Sequence, residues 1–146
     1  MGWGPLAAAS EGAEEIDPAI DLDACAELAT HWYGRPAVWC RDHLAEWHAE
    51  GVITHAGVRD GADLAASCLA ASNEVRPSTA EMYYVYCPSD EPLVPLLAHV
   101  VSRCIAQGTH NLIADLVGGH RRFEHVYKAL GFAKVADWAR CELTLS

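Results

Sequence analysis

One tyrosine on an otherwise apolar helical face is the leading candidate in this sequence for a residue that does chemistry. In the segment FEHVYKALGF, Tyr127 recurs at helical spacing with three apolar residues, Phe123, Val126 and Leu130. All four therefore share one face of a predicted helix, and Gly131 follows where a helix commonly ends. The phenol of Tyr127 can either pack in a core with its hydroxyl satisfied or give up a proton.

A basic segment stands directly before that helix and could bind an anion. It reads GGHRR and contains His120, Arg121 and Arg122. Glycines leave the backbone N–H groups accessible, and the start of a helix attracts negative charge. Two arginines can bind a carboxylate or a phosphate between them. The alternative is a solvated helix start with surface arginines. The segment is the best candidate anion site in the chain.

The segment EMYYVYC is the most strand-like in the chain, because it is aromatic and β-branched. Strand alternation puts Tyr84 and Tyr86 on one face, and it puts three residues on the other, Tyr83, Val85 and Cys87. One of these faces would line a cleft. Cys87 could be a nucleophile if its thiolate were stabilised, and the alternative is that it packs as a small apolar residue.

Candidates for a general base, a metal site and a substrate pocket are less specific. His55 on a predicted strand and Glu81 at the start of the central strand could each accept a proton from a substrate amine. No HExxH motif and no closed set of four ligands occurs, so we predict no metal site. Two early helices carry aromatic residues that would either form a pocket for an apolar or aromatic substrate or pack on a sheet. These residues are Trp32, Tyr33, Trp39 and Trp47.

The spacing of the apolar residues along the chain predicts the helices and strands that must position these side chains. Residues 16–22 predict a short first strand, and two helices follow that end at Gly34 and Gly51. A change to period two predicts a three-strand antiparallel meander that ends with EMYYVYC. A helix, a strand, a helix and a final strand or strand pair complete the order, with NLIADLV as the buried strand before the Tyr127 helix.

Composition narrows the class of partner. The chain has 146 residues, a length that predicts one domain. Its net charge of −10 argues against nucleic acid or an anionic membrane as a partner, because phosphates would repel such a surface. No apolar run reaches the length of about 18 residues that a membrane span needs. Six scattered cysteines without a CxxC pair predict a reduced, cytoplasmic protein. We predict that residues 1–15 form a flexible arm and that residues 16–146 form the domain.

The element order, together with Tyr127, Gly131 and Phe132 in VYKALGF, resembles the GCN5-related N-acetyltransferase (GNAT) superfamily. The resemblance extends over residues 16–145. It implies an α/β (α+β) fold with a mixed, mostly antiparallel sheet that is flanked by helices and splayed between its fourth and fifth strands. The fourth strand would be EMYYVYC and the fifth NLIADLV.

The resemblance also implies an activity and a set of site residues. The protein would be an acyl-CoA-dependent acyltransferase that uses acetyl-CoA or another acyl-CoA and acts on a small-molecule acceptor, most simply an amine. Tyr127 would be the general acid that protonates the departing thiolate, and His120 would be a second catalytic residue. Arg121 and Arg122 would lie near the cofactor. The strand edge that would pair with the pantetheine arm comprises Tyr84, Val85, Tyr86 and Cys87. Family members often dimerise through the last strands, which implies a homodimer here.

Two departures from the family pattern keep other functions open. The segment CPSDEPLVPLLAHV stands in place of the family's glycine-rich phosphate loop, and its Asp90 and Glu91 would repel a phosphate. His120 stands where the family often has an asparagine. One alternative is an enzyme of this fold that has lost CoA and catalyses a lyase, hydrolytic or rearrangement step in small-molecule biosynthesis, with Tyr127, His120 and Cys87 as acid–base groups. The other alternative is a non-catalytic module that binds a ligand or a partner.

Overall fold

A computed structural model gives the architecture as a sheet with helices on both faces. It describes residues 11–51, 53–72, 75–76, 78–116, 118–136 and 140–145. The strands are β1 (Ala13–Glu15), β2 (Ile53–Asp60), β3 (Asp63–Ser72), β4 (Thr79–Tyr86), β5 (Asn111–Asp115), β6 (Ala133–Ala136) and β7 (Arg140–Thr144). The helices are α1 (Pro18–Tyr33), α2 (Ala37–Glu50), α3 (Asp90–Ala106) and α4 (Glu124–Ala129), with a 3₁₀ helix (Gly118–Phe123) before α4.

The strands form one sheet in the order β1-β2-β3-β4-β5-β7-β6. Neighbouring strands are antiparallel except β4 and β5, which are parallel. A parallel pair needs a crossover, and α3 supplies it. The predicted fold class, a mixed and mostly antiparallel sheet flanked by helices, is therefore confirmed.

The start of the domain differs from the prediction. Residues 16–22 do not form the first strand, because α1 begins at Pro18. The Asp17 side chain accepts a hydrogen bond from the backbone N–H of Ala19 at 2.9 Å, and proline suits the first helical turn, so a cap and a start signal outweigh the alternating pattern. The first strand is β1, which pairs with β2. Residues 13–15, predicted as part of an arm, thus belong to the sheet, and residues 1–10 lie outside the described residues.

Two hydrophobic clusters cover the two faces of the sheet. On one face, α1 and α2 pack over β3 and β4 through buried residues that include Cys25, Leu44 and Leu69. On the other face, α3 and α4 pack through buried residues that include Leu97, Val126 and Tyr127. These faces are called the α1/α2 face and the α3/α4 face below. Both clusters meet at β4, so this strand is held from both sides.

Among the described helices, none combines the length and the hydropathy that a membrane-crossing segment requires.

Candidate active site

The central feature of the site is a gap between β4 and β5, which is called the splay below. The two strands pair only at their starts, where Thr79, Ala80 and Glu81 lie opposite residues 111–113. Beyond Glu81, β4 continues to Tyr86 and β5 continues to Asp115, and no further pair joins them among the described residues. The predicted separation of the fourth and fifth strands is present.

A β-bulge at Tyr84 changes which side chains of β4 share a face. Tyr84 has a φ of 53°, and the register between β3 and β4 shifts beside it. Tyr83 and Tyr84 consequently both pack into the cluster on the α1/α2 face, whereas Val85 and Cys87 belong to the α3/α4 face. The prediction that Tyr83 shares a face with Val85 and Cys87 is wrong, because the bulge interrupts strict alternation.

Tyr86 lies on the α1/α2 face as well. Its ring contacts the imidazole of His31, on the last turn of α1, with ring centroids 4.6 Å apart. Tyr84 and Tyr86 therefore share a face, as alternation predicts, although Tyr83 joins them there.

Tyr127 lies on the α3/α4 face, beneath the splay. Its side chain is only 1% exposed, and its ring meets Phe132 edge-on at 5.2 Å. The thiols of Cys68, Cys87 and Cys141 are close enough to contribute to the pKa of the phenol. Cys87 follows β4, and Cys141 on β7 lies opposite Ala114 of β5, so the phenol lies near both strands that border the gap. Burial raises the pKa of Tyr127 well above its usual value, so the hydroxyl is protonated at neutral pH.

Cys87 does not have the properties of a nucleophile. Its side chain is buried, and burial raises the pKa of the thiol to about 12, so almost no thiolate exists near pH 7. Nearby Arg122 lowers this pKa too weakly to reverse the effect of burial. Packing beside Tyr127 is the role that the structure supports for this side chain.

An open, acid-lined cleft of about 530 Å³ lies where β4 runs into α3. Its lining residues are Pro88, Ser89, Asp90, Glu91, Arg122 and Phe123. The Arg122 guanidinium donates to the backbone carbonyls of Cys87 and Pro88, each at 3.4 Å. Asp90 pairs with Nε2 of His125 at 2.6 Å. The cleft thus holds one arginine among carboxylates, at the start of a helix.

The structure distinguishes the two arginines of the predicted anion site. Both arginines are exposed, but Arg122 lines the acid-lined cleft and Arg121 is not among the residues that line it. The backbone of His120 lies in the 3₁₀ helix, but its side chain lies outside the described part of the chain. The role of each residue stays a prediction.

The two candidate bases are in very different surroundings. His55 is buried, shares a hydrogen bond of 2.9 Å with His48, and has its pKa lowered to about 3 by burial, so it is a weak base. Glu81 is half-buried on β4 at the last pair before the splay, and its carboxylate accepts a hydrogen bond from the Tyr83 hydroxyl. Of the two candidates, Glu81 is the one that lies at the gap.

The aromatic residues of α2 pack against β4. Trp47 meets Tyr83 edge-on at 4.9 Å, and His43 shares a hydrogen bond with the hydroxyl of Tyr84. No signal in the sequence connects His43 with Tyr84, because the two residues are 41 positions apart. The side chains of Trp32 and Tyr33 lie outside the described residues. Within the described residues, no group of three or more His, Cys, Asp or Glu side chains is placed to hold a metal ion.

The fold of this chain is similar to that of solved proteins, although its sequence is not. No protein-family model and no curated protein matches the sequence. A GNAT-family acetyltransferase from Staphylococcus aureus Mu50 superimposes with a TM-score of 0.72 at 8% identity, over 92% of this chain and 98% of its own. This chain has the GNAT fold. The resemblance inferred from Tyr127, Gly131 and Phe132 is confirmed at the level of the fold.

Two further solved proteins share the GNAT fold with this chain. A protein from Salmonella typhimurium, provisionally assigned as an acetyltransferase and solved with its cofactor acetyl-CoA, has a TM-score of 0.73 and 18% identity, over 92% of this chain and 93% of its own. The ribosomal-protein-S18-alanine N-acetyltransferase from Escherichia coli has a TM-score of 0.69 and 15% identity, over 92% and 93%. Identities this low establish the fold and not the reaction.

Proposed function

We propose that this protein transfers an acyl group from acyl-CoA to the amine of a small-molecule acceptor. The observation that carries the proposal is the splay with the buried, protonated phenol of Tyr127 beneath it. The Salmonella neighbour of the same fold is solved with acetyl-CoA. The Escherichia coli neighbour is named for the alanine that it acetylates, which favours an amine as the acceptor.

The chain's own residues fit the arm of such a donor better than its phosphates. Beyond Glu81, the backbone of β4 faces the splay, and Val85 and Tyr86 would pair with the pantetheine arm. Arg122 is the lining cation of the acid-lined cleft and would bind the diphosphate in place of a glycine-rich loop. Asp90 and Glu91 oppose that contact, so we expect weak donor binding.

Two side chains on opposite faces of the sheet would handle the protons. The donor supplies a thioester, whose carbonyl carbon gains a bond to the acceptor nitrogen and loses its bond to sulfur. Glu81 would take the proton that the amine must release, and Tyr127 would give its proton to the departing sulfur. The hydroxyl of Tyr127 is protonated at neutral pH, as a proton donor must be.

The experiment that tests the proposal is thermal unfolding with acetyl-CoA, desulfo-CoA and 3′,5′-ADP. A ligand at about 100 times its Kd, bound only to the folded state, adds about 2.7 kcal/mol and raises the Tm by several degrees. We expect a rise with acetyl-CoA that 3′,5′-ADP alone does not produce. An unchanged Tm at millimolar acetyl-CoA would exclude acyl transfer from CoA.

Arg122 and Arg121 offer a matched pair of variants for the same titration. Arg122→Ala should weaken acetyl-CoA binding by about tenfold, because a charge-assisted contact to the diphosphate is lost. Arg121→Ala removes the same charge outside the acid-lined cleft and should change the Kd by less than about twofold. Equal losses in both variants would mean that only net charge matters.

Neutralising the acids of the cleft should have the opposite effect. The double variant Asp90→Asn/Glu91→Gln should bind acetyl-CoA about fivefold more tightly at low ionic strength, because two carboxylates near the start of α3 no longer repel phosphates. Titration calorimetry at two salt concentrations would measure it, and the gain should shrink at high salt. A tighter Kd that is independent of salt would speak against this electrostatic account.

The acid-lined cleft also favours a second candidate function. If the splay has been reused without CoA, the protein would be an enzyme that acts on a small metabolite, with Tyr127 as its acid. A Tm that responds to metabolites but not to acetyl-CoA would favour this candidate. A protein that binds neither but co-purifies with a partner would favour a binding module.

A further inference from the structure

The bulge of β4 rests on an unusual backbone conformation at Tyr84. Among the described residues, only Ser78 and Tyr84 have a positive φ without being glycine, and Tyr84 has a φ of 53°. A left-handed conformation is sterically unfavourable for a bulky residue and persists where the surroundings hold it in place. The side chain of Tyr84 is 1% exposed, so those surroundings are the interior of the α1/α2 face.

His43 is the polar group that holds the end of this side chain. Nδ1 of His43 and the hydroxyl of Tyr84 share a hydrogen bond, although the residues are 41 positions apart. The imidazole lies between two indoles, with ring centroids 5.0 Å from Trp39 and 5.0 Å from Trp47. Contacts with both rings restrict the rotamers of the imidazole, so α2 helps to hold the Tyr84 hydroxyl in place.

The bulge determines the shape of the splay. It lies three residues beyond Glu81, the last residue of β4 that pairs with β5. A bulge bends its strand and re-aims the residues that follow. Here those residues are Val85 and Tyr86, the part of β4 that faces the gap. Anything that fixes Tyr84 therefore also fixes the edge on which a ligand in the splay would lie.

We infer that His43 is a positioning residue, which holds Tyr84 in the bulge and thereby keeps the β4 edge in the geometry that receives the donor's arm. This inference rests on the proposed function for the identity of the ligand. The positioning itself is a property of the protein without ligand. His43 would act through Tyr84 and not by contact with the donor.

A double-mutant cycle with two readouts tests the inference. The variants are His43→Phe, Tyr84→Phe and the double variant, since phenylalanine keeps a ring in place and removes the hydrogen bond. Amide hydrogen exchange over residues 79–86 reports the bulge in the ligand-free protein, and acetyl-CoA titration reports the Kd. Each single variant should speed exchange of the Val85 and Tyr86 amides by about tenfold and weaken the Kd by about tenfold. The double variant should be no worse than either single variant, because the pair acts as a unit.

Two further variants separate positioning from general damage. His43→Asn places an amide near the position of Nδ1 and should restore part of both losses. Tyr83→Phe removes the neighbouring phenol, which bonds to Glu81 instead, and should leave exchange at Val85 and Tyr86 within about twofold. Additive losses in the cycle, or equal losses in Tyr83→Phe, would overturn the inference.

The outcome for the proposed function is read separately. If the wild-type protein does not bind acetyl-CoA, the proposed function fails, and the exchange data alone decide the role of His43. If the wild type binds acetyl-CoA but His43→Phe alters neither exchange nor the Kd, the role of His43 fails and the proposed function stands.

Discussion

Replacing Tyr127 with phenylalanine should lower kcat for acyl transfer by about 100-fold to 10,000-fold, the range that a general acid contributes. The donor Kd should stay within about threefold, because the hydroxyl lies beneath the splay and the variant keeps the ring. The effect is large because the departing sulfur would leave into a buried site where water cannot supply the proton. Steady-state rates with acetyl-CoA and a panel of primary amines would measure it.

The control for this prediction alters packing without removing the proton. Phe132→Leu changes the edge-on contact of 5.2 Å with Tyr127 and keeps the hydroxyl, so its kcat should fall by less than about tenfold. If Tyr127→Phe retains full kcat, the phenol is a core residue and nothing more. Because burial raises the pKa of Tyr127 well above its usual value, loss of its proton should not reduce the rate at any pH below 10.

The stability of the fold should fall as the pH falls from about 6.5 towards 3. Burial, aided by the charge of His48, lowers the pKa of His55 from 6.5 to about 3, and burial also lowers the pKa of His48. Between these pH values the unfolded chain binds a proton that folded His55 excludes. The free energy of unfolding should therefore decrease by up to about 1.4 kcal/mol per pH unit for that proton. Above pH 6.5 this contribution is constant.

Urea denaturation at half-unit intervals from pH 4.5 to 7.5 would measure this slope. His55→Gln removes the titrating group and should flatten the curve, although its stability at pH 7.5 will be lower because a buried imidazole is lost. His110→Gln, at an exposed histidine, should leave the slope unchanged. Because His48 and His55 share a hydrogen bond, they titrate as a pair, and His48→Gln should also reduce the slope. A wild-type curve that is flat from pH 6.5 to 4.5 would contradict the burial of a neutral His55.

Local sequence determined the helices and the order of the elements. Capping and stop signals act over a few residues, so α1 ends at Gly34 and α2 at Gly51, as their glycines predict. The apolar period of FEHVYKALGF placed Tyr127 on the buried face of α4. The strand predicted from the alternating pattern of residues 16–22 is wrong, because the Asp17 cap and Pro18 start a helix in the same residues.

Only the tertiary structure decided how the candidate site is assembled. Strict alternation cannot reveal that Tyr84 takes a left-handed conformation, because Tyr84 is buried in a cluster formed by both α1 and α2. Arg121 and Arg122 are equivalent in the sequence, and the path of the 3₁₀ helix decides that Arg122 lines the acid-lined cleft. The bond between His43 and Tyr84 joins residues 41 positions apart. Sequence patterns report periods of two to four residues, whereas this site is built from contacts between elements, which depend on the packing of the whole sheet.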